Sequence, residues 1–317
     1  MASTVREYLI KAASIKSATT GFKTKIGIVG DLYSTLAGVK KASASKLNAQ
    51  KNLEGAPLFK PFTEKEIALF DEIKKGIDPN KSIEENFIKL LTAHFIDKQL
   101  LMLQKLNLVF ITTNPLLCSA LKMDTVEELV KFNVYAATAR SIVTSMGYLI
   151  ENLLLYSNPD VKDGKEFDEG ESNKWDLVIE RLDSVRCYIE VKSGPNDLDK
   201  TQIKSYNKEI KAVEAEGYKG FIGISYGRKD IKTVTTDLLP NYLDEWESHT
   251  LIGTELWDFV SGNPSYHEQL MAVIKETASK MLRGKSIVRM IERRVKALTK
   301  EFNEKYSSID DYFAQLW

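Results

Sequence analysis

Two cysteines in 317 residues, Cys118 and Cys187, leave no material for a disulfide framework or a cysteine-built zinc site. A reducing compartment such as the cytoplasm fits that scarcity. The three histidines, His94, His249 and His267, are scattered, which argues against a histidine-based metal centre and makes surface or packing roles the simpler reading. No apolar run approaches the roughly 18 residues that a membrane-crossing helix needs, so no membrane partner is expected. The opening Met-Ala-Ser-Thr-Val-Arg-Glu has no apolar signal-peptide core. Gly21 to Asp31 carries several glycines but neither a G-x-G-x-x-G pattern nor a Walker lysine, and is set aside as a nucleotide loop. Neither sign of charge dominates: 44 basic residues face 44 acidic ones. On its own that balance argues against a polyanionic partner.

The distribution of charge says more than the sum. Residues 1–51 hold nine cations (Arg6, Lys11, Lys16, Lys23, Lys25, Lys40, Lys41, Lys46 and Lys51) against Glu7 and Asp31. Lys280 to Lys300 holds eight against Glu292. Clustered cations of this kind supply phosphate contacts without a basic overall balance, although a solvated helix face reads the same way. With 43% hydrophobic and 28% charged residues the chain is ordinary globular material for one large or two smaller domains.

Apolar periodicity predicts helices at about 64–76, opened by the capping box Thr63-Glu-Lys-Glu66, and at 82–105. Leu106 to Thr112 reads as a strand or a buried helix end. Thr125 to Phe132 and 134–156 read as two further helices. Residues 264–305 form one or two long helices, followed by an amphipathic tail that packs on the core or a partner subunit. Between them, Leu177 to Leu182 and Tyr188 to Val191 are apolar β runs joined by the polar turn Asp183-Ser184. Gly220 to Gly227 suits a buried third strand. Three segments follow: a mostly helical 1–133, an α/β core over 134–262, and C-terminal helices over 263–317.

The chemistry concentrates in the α/β core. Glu190 and Lys192 are two residues apart, so on a strand both side chains leave one face. Asp176 opens the neighbouring run and can meet them. Two carboxylates beside a lysine are what metal-assisted phosphodiester hydrolysis requires: hard oxygen ligands for Mg²⁺ and a cation for the charge building on phosphate. Ser193-Gly-Pro-Asn196 ends the strand abruptly and leaves Lys192 at an open end. Gln202 and Tyr206 share a helix face one turn apart and could both point back to the carboxylates. Glu151 lies among Leu149, Ile150, Leu153, Leu154 and Leu155, where a carboxylate should be paired or coordinated.

The spacing D-x13-E-x-K, with Lys192-Ser-Gly-Pro-Asn196, Gln202-x3-Tyr206 and a helix carrying Gly147 and Glu151 ahead of the strands, resembles the PD-(D/E)xK nuclease superfamily, type II restriction endonucleases in particular. The likeness covers about Ser145 to Gly262. Leu251 to Gly262 is also similar to the closing segment of some type II enzymes that cut sites with GG and CC halves. The resemblance implies an α/β fold with a mixed central sheet flanked by helices. It implies Mg²⁺ held by Asp176, Glu190 and the Val191 carbonyl, with Glu151 holding a second metal or a water, and Gln202 joining the catalytic set. Lys192 would orient and help deprotonate the attacking water, or act as an electrostatic clamp. A homodimer acting on palindromic double-stranded DNA, with 5′-phosphate ends and a bacterial or archaeal cytoplasmic setting, completes the implication. Asn196, Lys200, Arg228 and Lys229, which follow the catalytic strands, are the base-reading residues of this picture. One departure stands out: the residue before Asp176 is Trp175, whereas a literal Pro-Asp occurs at Pro159-Asp160, in a stretch with loop composition. Asp176 is preferred because it opens an apolar strand. A repair or recombination nuclease of the same superfamily, a non-catalytic DNA-binding relative and a helical interaction protein with a chance triplet remain the rival readings.

Overall fold

The computed structural model describes residues 4–111, 113–167, 175–180 and 185–316. The expected turn at Asp183-Ser184, Leu182 and the acidic residues from Asp168 to Glu171 lie outside them. By contacts the chain divides into two compact units, Met1–Leu91 with Leu149–Ile274, and Thr92–Tyr148 with Lys275–Trp317. This partition cuts across three consecutive segments: the first 91 residues fold into the same unit as the sheet.

The first unit begins with α1 (Val5–Ile15), α2 (Thr20–Asp31), α3 (Leu36–Lys41), α4 (Ala44–Asn48) and α5 (Glu64–Gly76). Capping boxes at Thr4/Glu7 and Thr63/Glu66 start α1 and α5. The stretch that could pass for a nucleotide loop is helix α2. Its Gly30 lets α1 approach closely, since a Cβ there would stand 2.4 Å from Arg6 Cα. Tyr8, Phe22, Ile26, Phe70 and Phe87 form the buried cluster of this half. Phe87 belongs to α6 (Ile83–Lys105) and stacks on Tyr156 at 4.3 Å between ring centroids. That stack ties the N-terminal helices to the chain leading into the sheet.

The second unit contains α7 (Pro115–Ala120) and the first part of α8 (Val126–Leu155). Where two helices were expected, α8 is one of 30 residues. Asn133 does not break it, because its amide donates to the Leu129 carbonyl one turn back, at 2.8 Å. Of the expected segment Leu106–Thr112, Thr112 lies outside the described residues and Leu106–Ile111 is neither strand nor helix end: Leu108–Phe110 is a single 3-10 turn, capped by the Asn107 side chain accepting from the Val109 N–H.

After α8 the chain returns to the first unit. It forms β1 (Val161–Asp163), α9 (Gly164–Phe167), β2 (Leu177–Ile179), β3 (Cys187–Lys192), α10 (Lys200–Ala215), β4 (Lys219–Ile224), α11 (Val234–Tyr242), β5 (Thr250–Ile252) and α12 (Thr254–Ser261). The five strands lie in sequence order. The pairs β1–β2 and β2–β3 are antiparallel, and β3–β4 and β4–β5 are parallel. The sheet is therefore mixed, as expected, with α10 and α11 as the crossovers that parallel pairing requires. β1 is a correction: Asn158 to Lys165 has loop composition, yet Val161–Asp163 adds an edge strand through backbone pairing with β2. Tyr188, Ile222, Ile224, Ile203 and Ile210 bury one face of the sheet against α10. Leu256 of α12 packs on the other, so close to Gly223 that a Cβ there would be 2.7 Å from it.

The tail of the chain is α13 (Tyr266–Met281), α14 (Ile287–Lys305) and α15 (Ile309–Ala314). In the second unit Ile291, Val295, Leu298 and Phe302 of α14, with Tyr312 of α15, close a core over Leu129, Val130 and Val134. No described helix is long and apolar enough to cross a membrane.

Candidate functional site

β3 sits at the centre of the sheet, hydrogen-bonded on both sides, and its alternation sends Tyr188, Glu190 and Lys192 to the α10 face. The strand stops at Lys192, where Ser193-Gly194 bends away. Glu190 is only 7% exposed. Its Oε1 accepts from Lys192 Nζ at 2.6 Å and from the Tyr206 hydroxyl of α10 at 2.7 Å. The Lys192 ammonium also lies over the Tyr206 ring, 5.2 Å from its centroid.

Asp176 is fixed by its own backbone and by β3. Its N–H donates to the Ile189 carbonyl at 3.1 Å, and its Oδ2 accepts from the Val191 N–H at 2.9 Å. Leu177 pairs with Ile189, so continuing the register sets Asp176 beside Glu190. In a strand the N–H and carbonyl of one residue leave on the same side, so the Val191 carbonyl faces the Asp176 side as well. From the end of α8, Glu151 approaches the same place. Lys165 of α9 bridges the two acids, 3.2 Å from Glu151 Oε1 and 3.1 Å from Asp176 Oδ1.

The electrostatics follow from this crowding. Burial, and then the nearby Asp176 charge, raise the proton affinity of Glu190 above the usual carboxylate range, with Lys192 and Tyr206 opposing. Glu151 is raised for the same two reasons, in the same order. Burial works against the Lys165 charge, but Asp176 and Glu151 outweigh it and lift the ammonium to about 12. At Lys192, too, burial is outweighed by Glu190 and Tyr206, so its proton is held more firmly than usual. Tyr206 is pushed up to about 12 by burial and by its bond to Glu190.

Among the described residues, no three His, Cys, Asp or Glu side chains stand close enough to hold an ion together as arranged. The donor chemistry nevertheless fits a hard divalent cation. Glu151 and Glu190 are both raised by the Asp176 charge, a repulsion that a cation beside Asp176 would relieve.

The remaining residues singled out in the sequence have other partners. Gln202 does not reach the carboxylates: its Oε1 accepts from the Asp199 N–H at 3.0 Å, in a capping box that starts α10. Of the Gln-x3-Tyr pair, only Tyr206 touches Glu190. Asn196 accepts from the Val234 N–H at the start of α11, at 3.3 Å. Lys200 lies over the Tyr242 ring. Arg228 pairs with Asp230 at 2.6 Å, and Lys229 with Glu255 at 2.9 Å. Asp160 stands at the far end of the β1–β2 ladder, its carbonyl accepting from the Glu180 N–H, while Asp163 is the β1 residue level with Leu177. Lys165 escaped the sequence reading, because a lysine in a polar stretch gives no signal before β1 is known to be a strand.

The family model described as Type II restriction endonuclease EcoO109I matches residues 81–281, which takes in every described strand and all the residues of this cluster. No curated protein matches the chain.

Proposed function

The chain belongs to the type II restriction endonuclease EcoO109I family, a family of site-specific deoxyribonucleases, and on that premise we propose that Asp176, Glu190 and Lys192 are its hydrolytic centre and Mg²⁺ its cofactor. The observation that carries this reading is the junction of β2 and β3. There Asp176 is held by the Val191 N–H while Glu190 carries Lys192.

In this reading Asp176, Glu190 and the Val191 carbonyl hold the cation, and Glu151 holds a second ion or a water. Once bound, the ion supplies Lewis acidity toward the phosphate and makes water a stronger acid. The chain's own groups do the rest. Lys192 orients the attacking water and either helps deprotonate it or offsets charge on the phosphate oxygens. Tyr206 fixes the Glu190 rotamer. Gln202 acts through the cap of α10, which holds Tyr206 in place. In-line attack at phosphorus breaks the bond to the 3′ oxygen, leaving a 5′-phosphate and a 3′-hydroxyl.

Duplex DNA with two-fold sites calls for two copies of the centre, so the working form is a homodimer. Exposed Val109, Leu116 and Leu121 of the second unit supply apolar surface suited to such an assembly. Asn196, Lys200, Arg228 and Lys229 remain the proposed readers, each having to exchange its present partner for a base edge.

Incubated with plasmid or phage DNA, the purified protein should give discrete bands with Mg²⁺ and none with EDTA, and end sequencing should show 5′-phosphates. A smear would point instead to a non-specific nuclease. No cleavage of several unmethylated substrates would remove the reading. Light scattering on the same preparation should give twice the monomer mass. A Tyr206→Phe variant, which keeps the ring beneath Lys192 but loses one bond to a charged group, should cut about tenfold more slowly with unchanged DNA affinity. An unchanged rate in single-turnover kinetics would take Tyr206 out of the site.

A further inference from the structure

Lys165 bridges two carboxylates of the cluster, and the hydrolytic reading does not use it. It reaches the cluster because Gly164 presses against the β2 backbone, its N–H donating to the Asp176 carbonyl at 3.0 Å. The ammonium then touches Glu151 and Asp176 together, through the same Asp176 oxygen that faces away from the Val191 N–H. An Mg²⁺ ligated by that oxygen stands about 2 Å from it. An ammonium 3.1 Å from the same atom would be within a few ångströms of the ion, with two like-signed charges in a partly desolvated pocket. Each charge would weaken the other's hold on the oxygen, so the two compete for it.

Building on the reading of Asp176 as a metal ligand, we propose that Lys165 is an exchangeable counter-ion that competes with the divalent cation for Asp176 and Glu151. Its side chain suits the exchange. It is half exposed, on a flexible four-carbon stem at the edge of the sheet, so the head can swing into water when an ion takes its place. Lys192 cannot do this, being mostly enclosed and held between Glu190 and the Tyr206 ring. Lys165 thus keeps the acids together when no ion is bound and lowers the affinity for the ion by the strength of the pairs it must give up.

The test is calorimetric titration of Mn²⁺ alone, without DNA, into EDTA-treated and dialysed protein. Lys165→Met keeps the stem and removes the charge, and should bind Mn²⁺ roughly tenfold more tightly than wild type. Lys165→Arg keeps the charge and should stay near wild type, which separates competition from a general disturbance of the fold. Its melting curve in EDTA should match wild type, whereas that of Lys165→Met should be lower and should gain more on adding Mn²⁺. Equal or weaker binding by Lys165→Met, with wild type binding normally, would overturn the counter-ion role alone. Absence of Mn²⁺ binding in all three proteins would overturn the metal-ligand reading and this inference with it.

Discussion

Asp176→Ala should lose DNA cleavage by about 10³-fold or more at saturating Mg²⁺, while duplex affinity measured in Ca²⁺ stays within a few-fold of wild type. The size of the effect follows from the number of roles that meet in one carboxylate. Asp176 Oδ2 is aligned by the Val191 N–H, its Oδ1 faces Glu151 across Lys165, and its charge raises the proton affinity of both neighbouring glutamates. Alanine keeps the backbone bond to Ile189 and so should leave the sheet in place, which circular dichroism would verify. Glu190→Ala and Lys192→Ala should fall to similar levels, and the losses should not add, because in the proposed centre the three groups act on one reacting phosphate. The literal Pro-Asp at Asp160 offers the rival assignment, but it lies at the other end of the β1–β2 ladder from Asp176. Retained activity in Asp176→Ala, with loss in Asp160→Ala, would reverse the assignment.

Gly164→Ala should be nearly as damaging, by a different route. A Cβ at this position would stand 2.2 Å from the Trp175 carbonyl oxygen and 3.2 Å from the Asp176 carbonyl carbon. Backbone cannot rotate away as a side chain can, so β1 and the start of β2 must separate. Overpacking of this kind costs about 1–3 kcal/mol, visible as a fall of several degrees in the melting temperature. The displaced backbone carries Asp176, and a shift near 1 Å at a reacting group costs on the order of 10²-fold in rate. Gly147→Ala provides the contrast. Nothing lies within 4 Å of a Cβ there, and in a helix interior alanine should be neutral or stabilising by up to about 1 kcal/mol. Equal melting temperatures for Gly164→Ala and wild type would contradict the close approach of the two backbones.

Much of this architecture was legible in the sequence, and the parts that were not share a cause. β3 declared itself as an apolar run and by the abrupt Ser-Gly-Pro-Asn stop. The helices at Glu64–Gly76 and Ile83–Lys105 declared themselves by capping residues and apolar periodicity. These are local signals. β1 was missed because an edge strand of three residues needs no apolar pattern when its neighbour supplies the hydrogen bonds. Lys165 was missed with it, since its role depends on which backbone passes beside Gly164. Gln202 misled because a capping glutamine and a site glutamine look alike at i and i+4 from a tyrosine, and only the direction of the carboxamide separates them. The two helices expected at Thr125–Phe132 and 134–156 are one, with the Asn133 amide donating back along it to Leu129. The grouping of residues 1–91 with the sheet hangs on contacts such as Phe87 on Tyr156, between positions far apart in the chain.

Neither compact unit is a continuous stretch of chain, and this bears on how the protein is made. The core of the second unit joins Leu103 to Val134 with Ile291 to Tyr312, so during synthesis its first half waits for some 150 residues of intervening chain before the burying helix emerges. The sheet-bearing unit needs only residues up to Ile274 and can consolidate earlier. On the ribosome, the apolar residues of that first half, from Leu103 to Val134, therefore stay uncovered by their own partners until the burying helix emerges.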